Sequence, residues 1–142
     1  KEHLKDVQIV AEEFENLKAE FNIVIWLELG KEPTEHILNE ILQQQERYNK
    51  LKEQVVFIIE GGQSLDNPLL QKVCAIIPGV HIWEVDRMDK VREKIGRCFS
   101  IEIDQYPLAT VMTKEQKIKY ASSGYNVGLA DILLRIIEGL EG

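Results

Sequence analysis

Residues Asn22–Leu51, NIVIWLELGKEPTEHILNEILQQQERYNKL, constrain the chain more than any other stretch. The unbroken apolar run Ile23–Leu27 suits a strand covered on both faces, as in a parallel sheet. A short acidic step leads into a turn, Gly30–Lys31–Glu32–Pro33, and then into an amphipathic helix. Pro33 fits the first helical position, where a missing N–H costs nothing. Glu32 and Glu35 fall where the positive end of the helix dipole favours acids. From Pro33 the apolar positions Ile37, Leu38, Ile41, Leu42, Tyr48 and Leu51 make one helical stripe through to Leu51. The unit is therefore strand, tight turn, helix, with the turn at the C-terminal end of a central strand. Open α/β sheets usually build their sites there.

With 142 residues the chain is long enough for one domain with a substantial core. Its net charge is −7 and it has no basic cluster, so nucleic acid and anionic membrane surfaces are poor partners. No apolar run reaches the roughly 18 residues needed to cross a bilayer, so membrane insertion is not expected. No stretch reads as a signal peptide. A first residue of Lys1 in place of Met is expected of a fragment of a longer protein. Cys74 and Cys98 alone provide no zinc-type spacing, and no metal or cofactor is expected. Two buried thiols and a disulfide between them both remain open.

Ahead of the central strand, residues 3–20 place Leu4, Val7, Val10, Ala11, Phe14, Leu17 and Phe21 on one helical face, and Asn22 reads as its breaker. Beyond the second helix, Gln54–Glu60 is a second buried strand, which Gly61–Gly62 closes as a turn. Asn67–Pro68 starts a helix by capping, and Pro78–Gly79 stops it. Val80–Asp86 is a third strand, with His81 on an exposed edge. Asp86 caps a further helix bearing Met88, Val91 and Ile95. Arg97–Asp104 alternates as a short strand or extended connector, with Cys98 on its more polar side.

Tyr106–Pro107 favours a cis peptide. Leu108–Met112 follows as a strand, Lys114–Gln116 as a hairpin turn, and Lys117–Ser122 as an antiparallel edge strand with lysines outward. A last helix covers Leu129–Glu138, with Gly139 as its stop.

This order resembles the thioredoxin-like family, with Trp26 near the aromatic pair that precedes the family's active turn. Pro107 stands where the family's cis proline opens the fourth strand. The resemblance implies a three-layer α/β sandwich with helices on both faces of a mixed five-stranded sheet. The implied order is Val80–Asp86, Gln54–Glu60, Ile23–Glu28, Leu108–Met112, Lys117–Ser122, the first three parallel and the last two antiparallel. The family's Cys-x-x-Cys falls on Gly30–Lys31–Glu32–Pro33, where this chain has no sulfur. Dithiol exchange needs a thiolate at that helix N-terminus. The phrases WLELGKEPTEHI (Trp26–Ile37) and SSGYNVGLADILL (Ser122–Leu134) resemble the C-terminal domain of bacterial transglutaminase-like proteins. That likeness implies an exported protein whose catalytic triad lies outside residues 1–142.

The reading that follows is a redox-inactive module that docks on a neighbouring domain or binds a polypeptide. Its groove would comprise Gly30, Lys31, Glu32, Pro33, Tyr106 and Pro107, with no catalytic residue. The alternative is a thiol-dependent oxidoreductase or peroxidase-like enzyme using Cys98, activated by Arg97. The acids between Glu28 and Glu35 need no acid–base role, because the helix dipole accounts for them.

Overall fold

The computed structural model describes residues 17, 19–51, 54–60, 66–85 and 105–141. Nine elements lie within them. They are β1 (Phe21–Leu27), α1 (Glu32–Gln43), α2 (Gln45–Asn49), β2 (Gln54–Glu60), α3 (Pro68–Ile76), β3 (Val80–Val85), β4 (Leu108–Thr113), β5 (Ile118–Ser123) and α4 (Leu129–Glu141). The strands form one sheet in the order β3-β2-β1-β4-β5. β1 pairs parallel with β2, and β2 parallel with β3. β4 runs antiparallel to both β1 and β5. This is the mixed five-stranded order expected from the sequence. The helix read over residues 3–20, through residue 16 and at residue 18, the Gly61–Gly62 turn, the helix after Asp86, and Arg97–Asp104 with Cys98 lie outside the described residues.

Why β1 sits at the centre follows from its side chains. Ile23, Ile25 and Leu27 point to one face, where they join Val55, Phe57 and Ile59 of β2 and Ala109 and Val111 of β4. Ile37, Leu38 and Ile41 of α1, Leu70 and Val73 of α3, and Leu133, Leu134 and Ile137 of α4 close over them. Val24 and Trp26 point the other way, into a second cluster with Val56, Ile58, Leu108, Met112, Ile118 and Leu17. A strand buried on both sides has no use for polar alternation, which is why residues 23–27 read as continuous apolar sequence. Each such aliphatic side chain contributes about 1.5–3 kcal/mol of burial free energy.

Four local readings change. Phe21 and Asn22 belong to β1 rather than to a preceding helix. Asn22 is fully buried, and its Nδ2 donates to the carbonyls of Ala19 at 2.9 Å and Met112 at 3.3 Å. A side-chain amide can thus close a loop and still be satisfied inside a sheet. The helix expected to run on to Leu51 breaks at Gln44 (φ −105, ψ 25) into α1 and α2. Gly139 lies inside α4 rather than stopping it; the apolar stripe that packs Ile137 outweighs the roughly 1 kcal/mol that a helical glycine costs. Pro33 is the second residue of α1, because the helix starts one residue earlier, at Glu32.

Two further short-range readings hold. Asn67 Oδ1 accepts from Leu69 N and Leu70 N, both at 3.1 Å, and caps α3 ahead of Pro68. His81 is exposed on the edge strand β3. Among the described residues no helix is long and apolar enough to cross a membrane.

Candidate functional site

The C-terminal ends of β1 and β2 open onto the turn that leads into α1. Glu28 N donates to Thr34 Oγ1 at 3.3 Å, and Thr34 is fully buried, so the strand end is tied to the first turn of the helix. Gly30 takes φ +82, and an added Cβ would meet no heavy atom within 4 Å. Backbone conformation, rather than crowding, calls for glycine there. Lys31 precedes the helix in extended conformation and makes no side-chain cap; its carbonyl accepts from Glu35 N at 3.2 Å. Glu32 lies beside His36, 3.3 Å apart and exposed, a pair that contributes little to stability.

The facing wall comes from the residues before β4 and after β5. The Tyr106–Pro107 peptide is cis and Pro107 is buried. Its carbonyl accepts from Gly124 N at 2.9 Å. Ser123 Oγ donates to the Gln105 carbonyl at 3.4 Å. Gly124 has φ +85, and a Cβ there would stand 2.5 Å from Gln105 Oε1. Gly124→Ala is therefore expected to cost roughly 1–2 kcal/mol from the left-handed backbone alone. Urea unfolding of the variant checks this, and an unshifted midpoint would show that the turn tolerates the side chain.

A third group fixes Tyr125. Glu40, on α1, accepts from the Tyr125 hydroxyl, from Gly128 N at 2.9 Å and from Ala130 N at 3.1 Å. One carboxylate thereby caps the N-terminus of α4 and holds a phenol from the preceding loop. The Tyr125 ring also stacks on His36, with centroids 5.0 Å apart. Partial burial by itself would raise the Glu40 carboxyl, but the bonds from Tyr125, Gly128 and Ala130, with His36 nearby, hold it below the usual range. The same bond to Glu40, with some burial, pushes the Tyr125 phenol up to about 12. Nearby, Tyr48 donates to the Ala130 carbonyl at 2.8 Å, and Arg47 contacts Asp131 at 2.5 Å. These pin α2 to the start of α4.

Between the two walls lies a cleft of about 730 Å3 lined by Glu28, Lys31, Pro33, Glu60, Gln105, Tyr106 and Tyr125. Of the six groove residues named from sequence, Lys31, Pro33 and Tyr106 line it. Gly30 shapes the turn, Glu32 pairs with His36, and Pro107 is buried behind Tyr106. Glu28, Glu60, Gln105 and Tyr125 were not among the six. The strand-end position of the two acids was a signal for them; Tyr125 had none, because the residues it meets on α1, Glu40 and His36, are far from it in sequence.

The chemistry on offer is hydrogen bonding, charge and aromatic surface. Among the described residues no sulfur lines the cleft. Cys74 is a free thiol on α3, partly packed against the core, and burial pushes its pKa up, away from the reactive thiolate. Among the described residues no three His, Cys, Asp or Glu side chains are grouped to hold a metal ion.

No family model and no curated protein matches the chain. Solved structures do match in fold. A Chlorobium tepidum protein assigned as a thiol:disulfide interchange protein, DsbE, is 15% identical, with TM-score 0.53 over 87% of this chain and 82% of that chain. StoA from Bacillus subtilis is 10% identical, with TM-score 0.52 over 84% of each chain. The thioredoxin domain of the thiol-disulfide oxidoreductase BVU-2223 from Bacteroides vulgatus is 12% identical, with TM-score 0.52 over 88% of this chain and 81% of that chain. Likeness at such identities speaks to fold and not to activity.

Proposed function

From the premise of a thioredoxin-like fold with Gly30–Lys31–Glu32–Pro33 at its active turn, we propose a module that binds polypeptide without dithiol chemistry. The bound chain is a partner protein or a neighbouring domain, held extended across the cleft beside Pro107 by backbone hydrogen bonds and side-chain contacts. In the intact bacterial protein it accompanies a transglutaminase-like catalytic domain, the reading suggested by Trp26–Ile37 and Ser122–Leu134. The observation that carries the proposal is the cleft itself, which is open, walled by Lys31, Pro33, Tyr106 and Tyr125, and lined by no thiol among the described residues. Removing sulfur from such a turn ends electron transfer and leaves a binding surface.

The test has two arms. Insulin reduction in the presence of dithiothreitol should proceed no faster with the protein than without it. Turnover that disappears in Cys98→Ser would overturn the redox-inactive reading in favour of the thiol enzyme. Anisotropy of a fluorescein-labelled extended peptide, Ser-Val-Thr-Val-Lys-Val-Thr-Ser, should show saturable binding. Tyr106→Ala should weaken it about tenfold, the scale of an interface aromatic. Affinity unchanged in that variant would leave Gly30–Pro33 a plain strand-to-helix turn.

A further inference from the structure

The lining of the cleft is uneven in charge. Leu27 and Ile59 are the last register partners of β1 and β2, so Glu28 and Glu60 stand abreast at the ends of adjacent strands. Neighbouring strands lie about 5 Å apart, and both Glu28 and Glu60 line the cleft. Among the described residues Lys31 is the one cation that lines it. Glu32 and Glu35, both exposed on the first turn of α1, add negative charge to the helix end that carries Lys31 and Pro33. The whole chain carries −7, which steers cations inward and repels anions.

The walls add a second, independent recognition element. Tyr106 and Tyr125 both line the cleft, and aromatic rings attract cations over their faces. Tyr125 is set in advance: its hydroxyl is bonded to Glu40 and its ring is stacked on His36. A wall fixed before the ligand arrives lowers the ordering cost of binding. At about 730 Å3 the cleft is roomier than one side chain requires, so a stretch of chain can enter with it.

We propose that the cleft selects extended polypeptide carrying a lysine or arginine, whose cation sits by Glu28 and Glu60 between the rings of Tyr106 and Tyr125. This rests on the polypeptide-binding reading above and names the class of segment bound.

Three labelled peptides test it, identical to the one above except for Lys, Met or Glu at the central position. At low salt the Lys peptide should bind about tenfold tighter than the Met peptide, and the Glu peptide more weakly still. The Lys preference should collapse in Glu28→Gln/Glu60→Gln and shrink in high salt, while Met-peptide binding persists. N-acetyl-lysine amide, which has the cation without the flanking chain, should compete only at about a hundredfold higher concentration. Equal potency of that amide would overturn the polypeptide assignment. Equal binding of all three peptides would overturn the charge selection and leave the groove standing. Failure of the wild-type protein to bind any of them would sink the groove itself.

Discussion

Phe57→Ala is expected to remove about 3–5 kcal/mol of folding free energy, the largest loss from any single truncation considered. Phe57 is fully buried in β2 and faces the layer formed by α1, α3 and α4. Its register partners are Ile25 on one side and Ile82 on the other, so the ring occupies the middle of the parallel half of the sheet. Truncation leaves a cavity bounded by paired strands that cannot close over it, because their spacing is set by the hydrogen-bond ladder. Ile82→Ala is the internal control. It sits on the edge strand at 37% exposure and should cost well under half as much. Urea midpoints at unchanged m-value check both. Losses of similar size would mean that β3 is as deeply packed as β2.

The contrast between Phe57 and Ile82 is legible in the amino-acid sequence. Apolar continuity separates interior from edge strands: Ile23–Leu27 and Val55–Ile59 suit the interior, whereas HIWE in β3 and IKYAS in β5 carry the polar positions of edges, and the order of the strands is what the family resemblance implies. Caps built within a few residues, such as Asn67 on α3, were legible for the same reason: the chemistry is local. The helix break at Gln44 was not. Gln43, Gln44 and Gln45 are all acceptable helix formers, and the bend is imposed by the docking of Tyr48 and Arg47 onto α4. Gly139 misled in the opposite direction, since tertiary packing of the stripe around it overrides a local stop.

The cleft divides along the same line. Lys31, Pro33 and Tyr106 come from two local motifs, a strand-to-helix turn and an aromatic–proline step, and could be picked out by inspection. Glu60 closes a strand whose role was clear, but its neighbour across the ladder is Glu28 only once register is known. Tyr125 is 85 residues from the Glu40 that holds it, and no periodicity links the two. Sites at the meeting of several loops are assembled by the fold, so sequence pattern reaches their individual pieces and not their sum.

Glu40→Ala should cost about 2 kcal/mol, because one substitution strips three donors of their acceptor and uncaps α4. Glu40→Gln keeps one acceptor oxygen without the charge and should lose roughly half as much. The sign of the pH dependence follows from the lowered carboxyl. Glu binds its proton less readily folded than unfolded, where its usual value is 4.5. The stabilisation is therefore complete above that value and is lost as pH falls through the lower folded one. Urea unfolding between about pH 3 and pH 7 should show wild-type stability falling on the acid side, with a shallower fall in both variants. Slopes that remain parallel would mean that Glu40 carries no such linkage. Tyr125→Phe separates the phenol's share: it keeps the ring and its stacking on His36 but removes the hydroxyl. The double variant with Glu40→Ala should cost less than the sum of the two singles, since both delete the same bond. Strict additivity would show that the carboxylate acts on α4 alone and that the wall of the cleft is held by other contacts.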